Sequence, residues 1–200
     1  IAGHRCPSDA ASQLVVSPLV NGYMVMMPPI AVSTNFGRSN YVGVFGSSID
    51  WMMGTPMTAS PGAFGRNSRR RFGDFLDGTS NTLLVGERHS PRVIGGKYEG
   101  GDSIWAGVGC DSMPQGMAFT LGDCAPGHQI NVRMSTPPDA MSADSYVGFS
   151  SYHVGGAHFL MGDGSVRFIS ENIATGTAGM AGSTYQNLAT VSDGMTLGEF

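Results

Sequence analysis

The chain has 200 residues, a length that fits one domain around one core, and 41% of them are hydrophobic, as in folded soluble domains rather than disordered ones. Only 13% are charged, with Lys97 the single lysine among 11 basic residues and Asp dominating the 15 acids, while Gly and Pro number 30 and 11. Lys and Glu clothe exposed helices, so bundles, coiled coils and doubly wound folds are excluded; the net charge of −4 gives no broad attraction to nucleic acid, and no apolar run is long enough to span a membrane.

What remains is a loop-rich, β-dominated α+β fold over residues 1–200, an antiparallel sheet with a C-terminal β-hairpin and short helices. In residues 1–60 every apolar run is broken, by Cys6-Pro-Ser-Asp9, Pro18, Pro28-Pro29, Ser47-Ser48 and Thr55-Pro56. Leu14–Val16 and Met24–Met27 read as short strands, whereas residues 35–41 are too polar and Gly-punctuated for a central one. Phe72, Phe75 and Leu76 fall at i, i+3, i+4 and predict one face of a short helix that Gly78 ends in a left-handed conformation. Arg69–Arg71 oppose the helix dipole, which keeps that end outside the helix. Thr82–Glu87 reads as a strand with Gly95-Gly96 as a break beyond it, Ile104–Val108 as another strand, and residues 111–145 mostly as loop.

The clearest local pattern is Ala157–Met161, Gly162-Asp163-Gly164 and Ser165–Ile169, a β-hairpin around Asp-Gly. A two-residue type I′ loop at Asp163-Gly164 sets Met161 opposite Val166 and Phe159 opposite Phe168, four side chains on one buried face. His158, Leu160, Arg167 and Ile169 then take the other face. A short helix over Thr184–Ala189, capped by Ser183, and a turn at Asp193-Gly194 complete the chain. The chain opens on Ile1 with neither an initiating Met nor a signal peptide, as expected of a processed or trimmed product.

Three cysteines occur. Cys110 and Cys124 enclose a turn-rich loop that a disulfide would stabilise by roughly 3 kcal/mol, the alternative being two buried thiols. Cys6 is then free or paired outside these residues, and no zinc-type spacing of Cys and His exists.

Candidate chemistry is sparse. Ser151, His153 and Asp163 are the only imaginable catalytic triad, but no nucleophile elbow surrounds Ser151. His153 reads as a side chain bonded to nearby backbone or to Asp163 across the hairpin rather than as a metal ligand. Asp74, Asp77, Thr79 and Asn81 offer hard oxygens for Ca²⁺, although the EF-hand spacing is missing and Asx and hydroxyl turns explain the same residues. Trp51 or Trp105 could add glycan contacts to such a surface. Arg66 and Arg69–Arg71 form the one basic cluster, read as a solvated face or a subunit salt bridge, and the Met pairs as core or subunit contact.

Four segments, in order, resemble a known family: Cys6-Pro-Ser-Asp9; Phe75-Leu-Asp-Gly-Thr-Ser-Asn-Thr-Leu-Leu-Val-Gly-Glu87; His153 followed by nine residues and Asp163-Gly164; and Tyr185-Gln-Asn-Leu-Ala-Thr190. Together they are similar to the pseudopilin-like, prepilin-type proteins expanded in planctomycetes, with their C-terminal H-x9-DG signature. The resemblance implies a pseudopilin-like head, exported to the cell surface, periplasm or exterior by type II secretion or type IV pilus-like machinery. It would serve as a non-enzymatic structural subunit of a filament, surface layer or envelope complex, partnered by its own copies or by other envelope subunits. The hydrophobic N-terminal helix of such proteins is absent from these residues, so no membrane contact is expected of this segment. A calcium- or glycan-binding surface module is the alternative.

Overall fold

The structure, a computed structural model, describes residues 2–16, 35–48, 62–65, 68–105, 120–135, 147–176 and 182–195. In chain order its strands are β1 (Leu14–Val16), β2 (Asn35–Gly37), β3 (Tyr41–Gly46), β4 (Leu83–Glu87), β5 (Arg92–Ile94), β6 (Lys97–Glu99), β7 (Leu121–Asp123), β8 (Gly156–Met161) and β9 (Val166–Ser170). Among the described residues a helix, α1 (Thr184–Leu188), follows them. The fold is thus the expected loop-rich, β-dominated α+β type. Five strands form the main sheet in the order β7-β3-β4-β8-β9, and β1-β2 and β5-β6 are separate antiparallel pairs. Neighbours in the main sheet run antiparallel except β7, which joins β3 in parallel and makes the sheet mixed.

One face of the main sheet carries the core. Val42, Val44, Leu83, Phe149, Ala157, Phe159, Met161 and Ile169 pack there against Tyr185, Leu188 and Ala189 of the α1 segment. Phe159 lies between Phe149 and Tyr185, meeting both rings edge-on. Helix α1 forms where Ser183 predicted it, the Ser183 hydroxyl accepting from the Gln186 amide. Gln186 then donates to the Cys124 carbonyl and fixes α1 against the strand end beyond β7.

The hairpin is present, but its loop has three residues rather than two. The Gly164 amide donates to the Met161 carbonyl and the Met161 amide to the Ser165 carbonyl, with Gly164 at φ +87°. That is a type I turn closed by a residue in the left-handed region. The extra loop residue slides β9 by one position, and a slip of one exchanges its two faces. Phe159 consequently faces Arg167, His158 faces Phe168 and Leu160 faces Val166. Ile169 is the buried residue of β9, while Val166 and Phe168, expected inside, are 65% and 46% exposed.

Other expectations are corrected by packing. As expected, residues 35–37 are no central strand, β2 lying in the separate β1-β2 pair, but β3 is an interior strand of the main sheet although residues 1–60 read as irregular: the place of a Gly43 Cβ is filled by Leu121 and Phe64, so its glycine is a packing choice. The predicted helix shrinks to one 3-10 turn, Phe72–Asp74, and Phe72 and Leu76 are exposed. Gly95-Gly96 is the turn of the β5-β6 hairpin, both residues at positive φ. Ile104 makes an isolated bridge to Arg38, and β7 lies inside the stretch expected to be loop. Met24–Met27, Trp51, Arg66, residues 106–108 of the expected Ile104–Val108 strand and Cys110 lie outside the described residues.

Of the expected Cys110–Cys124 disulfide only Cys124 lies among the described residues. Cys124 is a free thiol, completely buried in the core cluster. Burial pushes it well above the ordinary thiol range, against a smaller opposing effect of the Tyr185 hydroxyl. Its strand end points the side chain into the core.

Candidate functional site

The face of the main sheet opposite the core carries Glu87 and His158. Glu87 ends β4 opposite Tyr41 of β3, and His158 sits one strand away on β8. Glu87 is buried; its Oε2 accepts from the His158 amide at 2.8 Å and lies 3.3 Å from His158 Nδ1. Its Oε1 lies 3.4 Å from His153 Nε2. The two imidazoles meet edge-to-face with centroids 4.7 Å apart, and His158 also stacks edge-on against Phe168. Cys6 Sγ approaches the same His153 Nε2 at 3.9 Å. The donor atoms of Cys6, Glu87 and His153 all lie within 4.8 Å of one another. Burial, with the Cys6 and Glu87 charges next, raises the nearby Tyr41 phenol above its ordinary value.

A buried polar knot holds Cys6 in place. The Cys6 amide donates to Asn40 Oδ1 at 3.0 Å, and Asn40 Nδ2 donates to Asp9 Oδ2 at 2.6 Å. That carboxylate also accepts from the Ser90 amide at 2.8 Å and the Ser90 hydroxyl at 2.7 Å. Burial alone would raise the Asp9 carboxyl, but these bonds together with one from the Ala11 amide hold it below its ordinary value. Asn40 precedes β3 and Ser90 follows β4, so the Cys6-Pro-Ser-Asp9 turn is clamped where Glu87 emerges. His153 reaches the same point from the turn before β8, its amide bonded to the Ser151 hydroxyl at 3.0 Å.

Two further charged centres brace the surroundings. Buried Glu99 accepts from His89 Nε2 at 2.9 Å, Arg92 Nε at 3.1 Å and Arg133 Nε at 2.8 Å. Desolvation pushes its carboxyl up, yet the bonds from His89, Arg133 and Arg92 bring it down to about 2. Arg88, fully buried, donates Nε to the Gly148 carbonyl at 2.9 Å and Nη2 to the carbonyls of Val147 at 2.7 Å and Leu121 at 3.1 Å. Burial lowers its guanidinium to about 10, opposed by the charge of Asp123, which in turn pairs with His128.

The residues singled out by sequence fare unequally. His153 does not meet Asp163: they lie at opposite ends of β8, a strand roughly 17–20 Å long. Ser151, His153 and Asp163 therefore form no triad, and Asp163 binds the Ser165 amide in the hairpin loop with Gly164 beside it. Asp163 is held down to about 2, first by hydrogen bonds from Ser165 and then by Ser80. Asp77 accepts from the amides of Asp193 and Gly194, Asp74 from that of Arg71, Asn81 donates to the Asp77 carbonyl, and the Thr79 carbonyl accepts from Asp163. Arg69–Arg71 are exposed, as is Trp105, which lies against Gly37. Glu87, Cys6 and His158 were missed as partners of His153. Glu87 and Cys6 stand in two of the segments that carry the family resemblance, but no local spacing links them to His153.

Neither a curated protein nor a solved structure matches the chain. The family described as Protein of unknown function (DUF1559) matches residues 1–176. With that match covering most of its length, the chain belongs to the DUF1559 family.

Proposed function

We propose that this chain is an exported, pseudopilin-like structural subunit of a filament, surface layer or envelope complex, acting by contact rather than by catalysis, and that it packs against copies of itself along β9. The observation that carries the reading is the state of β9. It is the last strand of the main sheet, paired on one side only among the described residues, and it presents Val166 and Phe168 to solvent. β9 has five residues with Arg167 its one charge and neither Lys, Pro nor a bulge, so its outer edge stays open to strand addition. The low charge of the chain leaves little repulsion between copies. The resemblance of four sequence segments to prepilin-type proteins supports the exported, assembling character of this reading.

Sedimentation velocity over a wide concentration range tests this. The chain associates with rising concentration, and Val166→Lys with Phe168→Lys returns it to monomer while leaving its circular dichroism unchanged. A chain that stays monomeric at every concentration, or an association indifferent to both lysines, would refute the assembly surface.

A further inference from the structure

We infer that Cys6, Glu87 and His153 form a three-ligand site for a borderline-soft divalent cation of the zinc kind, on the sheet face opposite the core. The spacing of the donors is the first ground. Zinc–sulfur and zinc–nitrogen bonds of about 2.3 and 2.0–2.1 Å in a tetrahedron put the sulfur and nitrogen about 3.5 Å apart and nitrogen and oxygen about 3.3 Å apart. Here Cys6 Sγ and His153 Nε2 are 3.9 Å apart, and His153 Nε2 and Glu87 Oε1 are 3.4 Å apart. The third pair, Cys6 Sγ and the Glu87 carboxylate oxygen, lies within 4.8 Å where a tetrahedral ion wants about 3.6 Å, so a closure of the Cys6 turn by about 1 Å or less completes the figure.

The second ground is which nitrogen is used. In a nucleophile–base–orienter chain, thiol and carboxylate sit on different imidazole nitrogens, because one proton is passed and the other is held. In this protein both Cys6 and Glu87 converge on His153 Nε2. That is the arrangement of ligands around a common centre rather than of a proton relay. One thiolate, one imidazole and one carboxylate also match zinc better than the oxygen-seeking Ca²⁺ or Mg²⁺.

The supporting layer is in place as well. His158 fixes the second oxygen of Glu87 through its amide and Nδ1, and Asn40, itself bound to Asp9, fixes the Cys6 backbone. The His153 and His158 side chains are 35% and 40% exposed, so a fourth position opens toward water beside them. The ligands span 147 residues of sequence, which is why no metal-binding spacing is visible in it.

Equilibrium dialysis of the chelator-stripped full chain against zinc chloride at neutral pH tests the site. One zinc binds per chain, Cys6→Ser and His153→Gln each weaken binding about 100-fold or more, His158→Phe weakens it about tenfold, and Cys124→Ser leaves it unchanged. Zinc also raises the melting temperature of the native chain but not of His153→Gln. Should Cys6→Ser fail to fold, the partly exposed His153→Gln carries the test alone. No binding, or a His153→Gln variant with native affinity, would overturn the inference.

Discussion

Replacing Arg88 with Met keeps the length and apolar stem of the side chain and removes its guanidinium. Three carbonyls, those of Gly148, Val147 and Leu121, then lose a charged donor in a fully buried place, and the neighbouring Asp123 loses a countercharge. Hydrogen bonds to charged groups contribute about 1.5–3 kcal/mol each, which sets an upper range of roughly 5–9 kcal/mol for three. Burying a guanidinium itself costs several kcal/mol, so the net loss falls to about 3–5 kcal/mol, the usual cost of orphaning a buried charge network. Against a total stability of roughly 5–15 kcal/mol this is a large fraction. Urea unfolding reads it directly: with a slope of about 2 kcal/mol per molar the midpoint drops by roughly 1.5–2.5 M. Arg88→Lys falls between, since a point charge cannot reach the three carbonyls at once. A midpoint within 0.5 M (about 1 kcal/mol) of the native value for Arg88→Met would refute the role of Arg88 as the tie between β4, β7 and the 147–148 segment.

Three other outcomes follow from the same structure. Ile169→Ala costs about 2–4 kcal/mol in a thermal or urea melt, whereas Val166→Ala stays within about 0.5 kcal/mol; the reverse order would restore the two-residue hairpin loop. Gly164→Ala, forced to φ +87°, destabilises by about 1 kcal/mol or more and lowers the melting temperature, while a neutral effect would contradict the turn assignment. Glu99 binds its proton less readily folded than unfolded, so its contribution is full above the ordinary carboxyl range near pH 4.5 and is lost as pH falls toward about 2; a stability-versus-pH curve for Glu99→Gln loses that part of the acid slope, and an unchanged slope would count against the pairing.

The parts of the fold legible in the sequence are those set by local chemistry. Ser183 marks the start of α1, the Leu83–Glu87 run marks β4, and the Gly162-Asp163-Gly164 segment marks the hairpin. Illegible parts depend on long-range packing. The hairpin register turns on one loop residue, because both Asp163-Gly164 and Gly162-Asp163-Gly164 fit turn chemistry, and only burial of Ile169 against the core decides between them. β3 was hidden because Gly43 makes room for Leu121 and Phe64, residues whose neighbourhood is tertiary. At the site, His153 was visible as part of a signature. Its partners were not: Cys6 is delivered by the Asn40–Asp9–Ser90 knot and Glu87 by a central strand, and neither approach leaves a sequence period. Cys124 shows the same limit, since loop length says nothing of its side chain turning inward beside Tyr185.

The convergence of Cys6, Glu87 and His153 on one point is tested most directly by loading the full chain with cobalt(II) in place of zinc and recording its absorption spectrum. A thiolate-to-cobalt charge-transfer band and the intense visible bands of a tetrahedral ion are predicted, with the charge-transfer band lost in Cys6→Ser and kept in Cys124→Ser. The weak spectrum of a six-coordinate, all-oxygen cobalt ion, or a charge-transfer band that survives Cys6→Ser, would contradict the account.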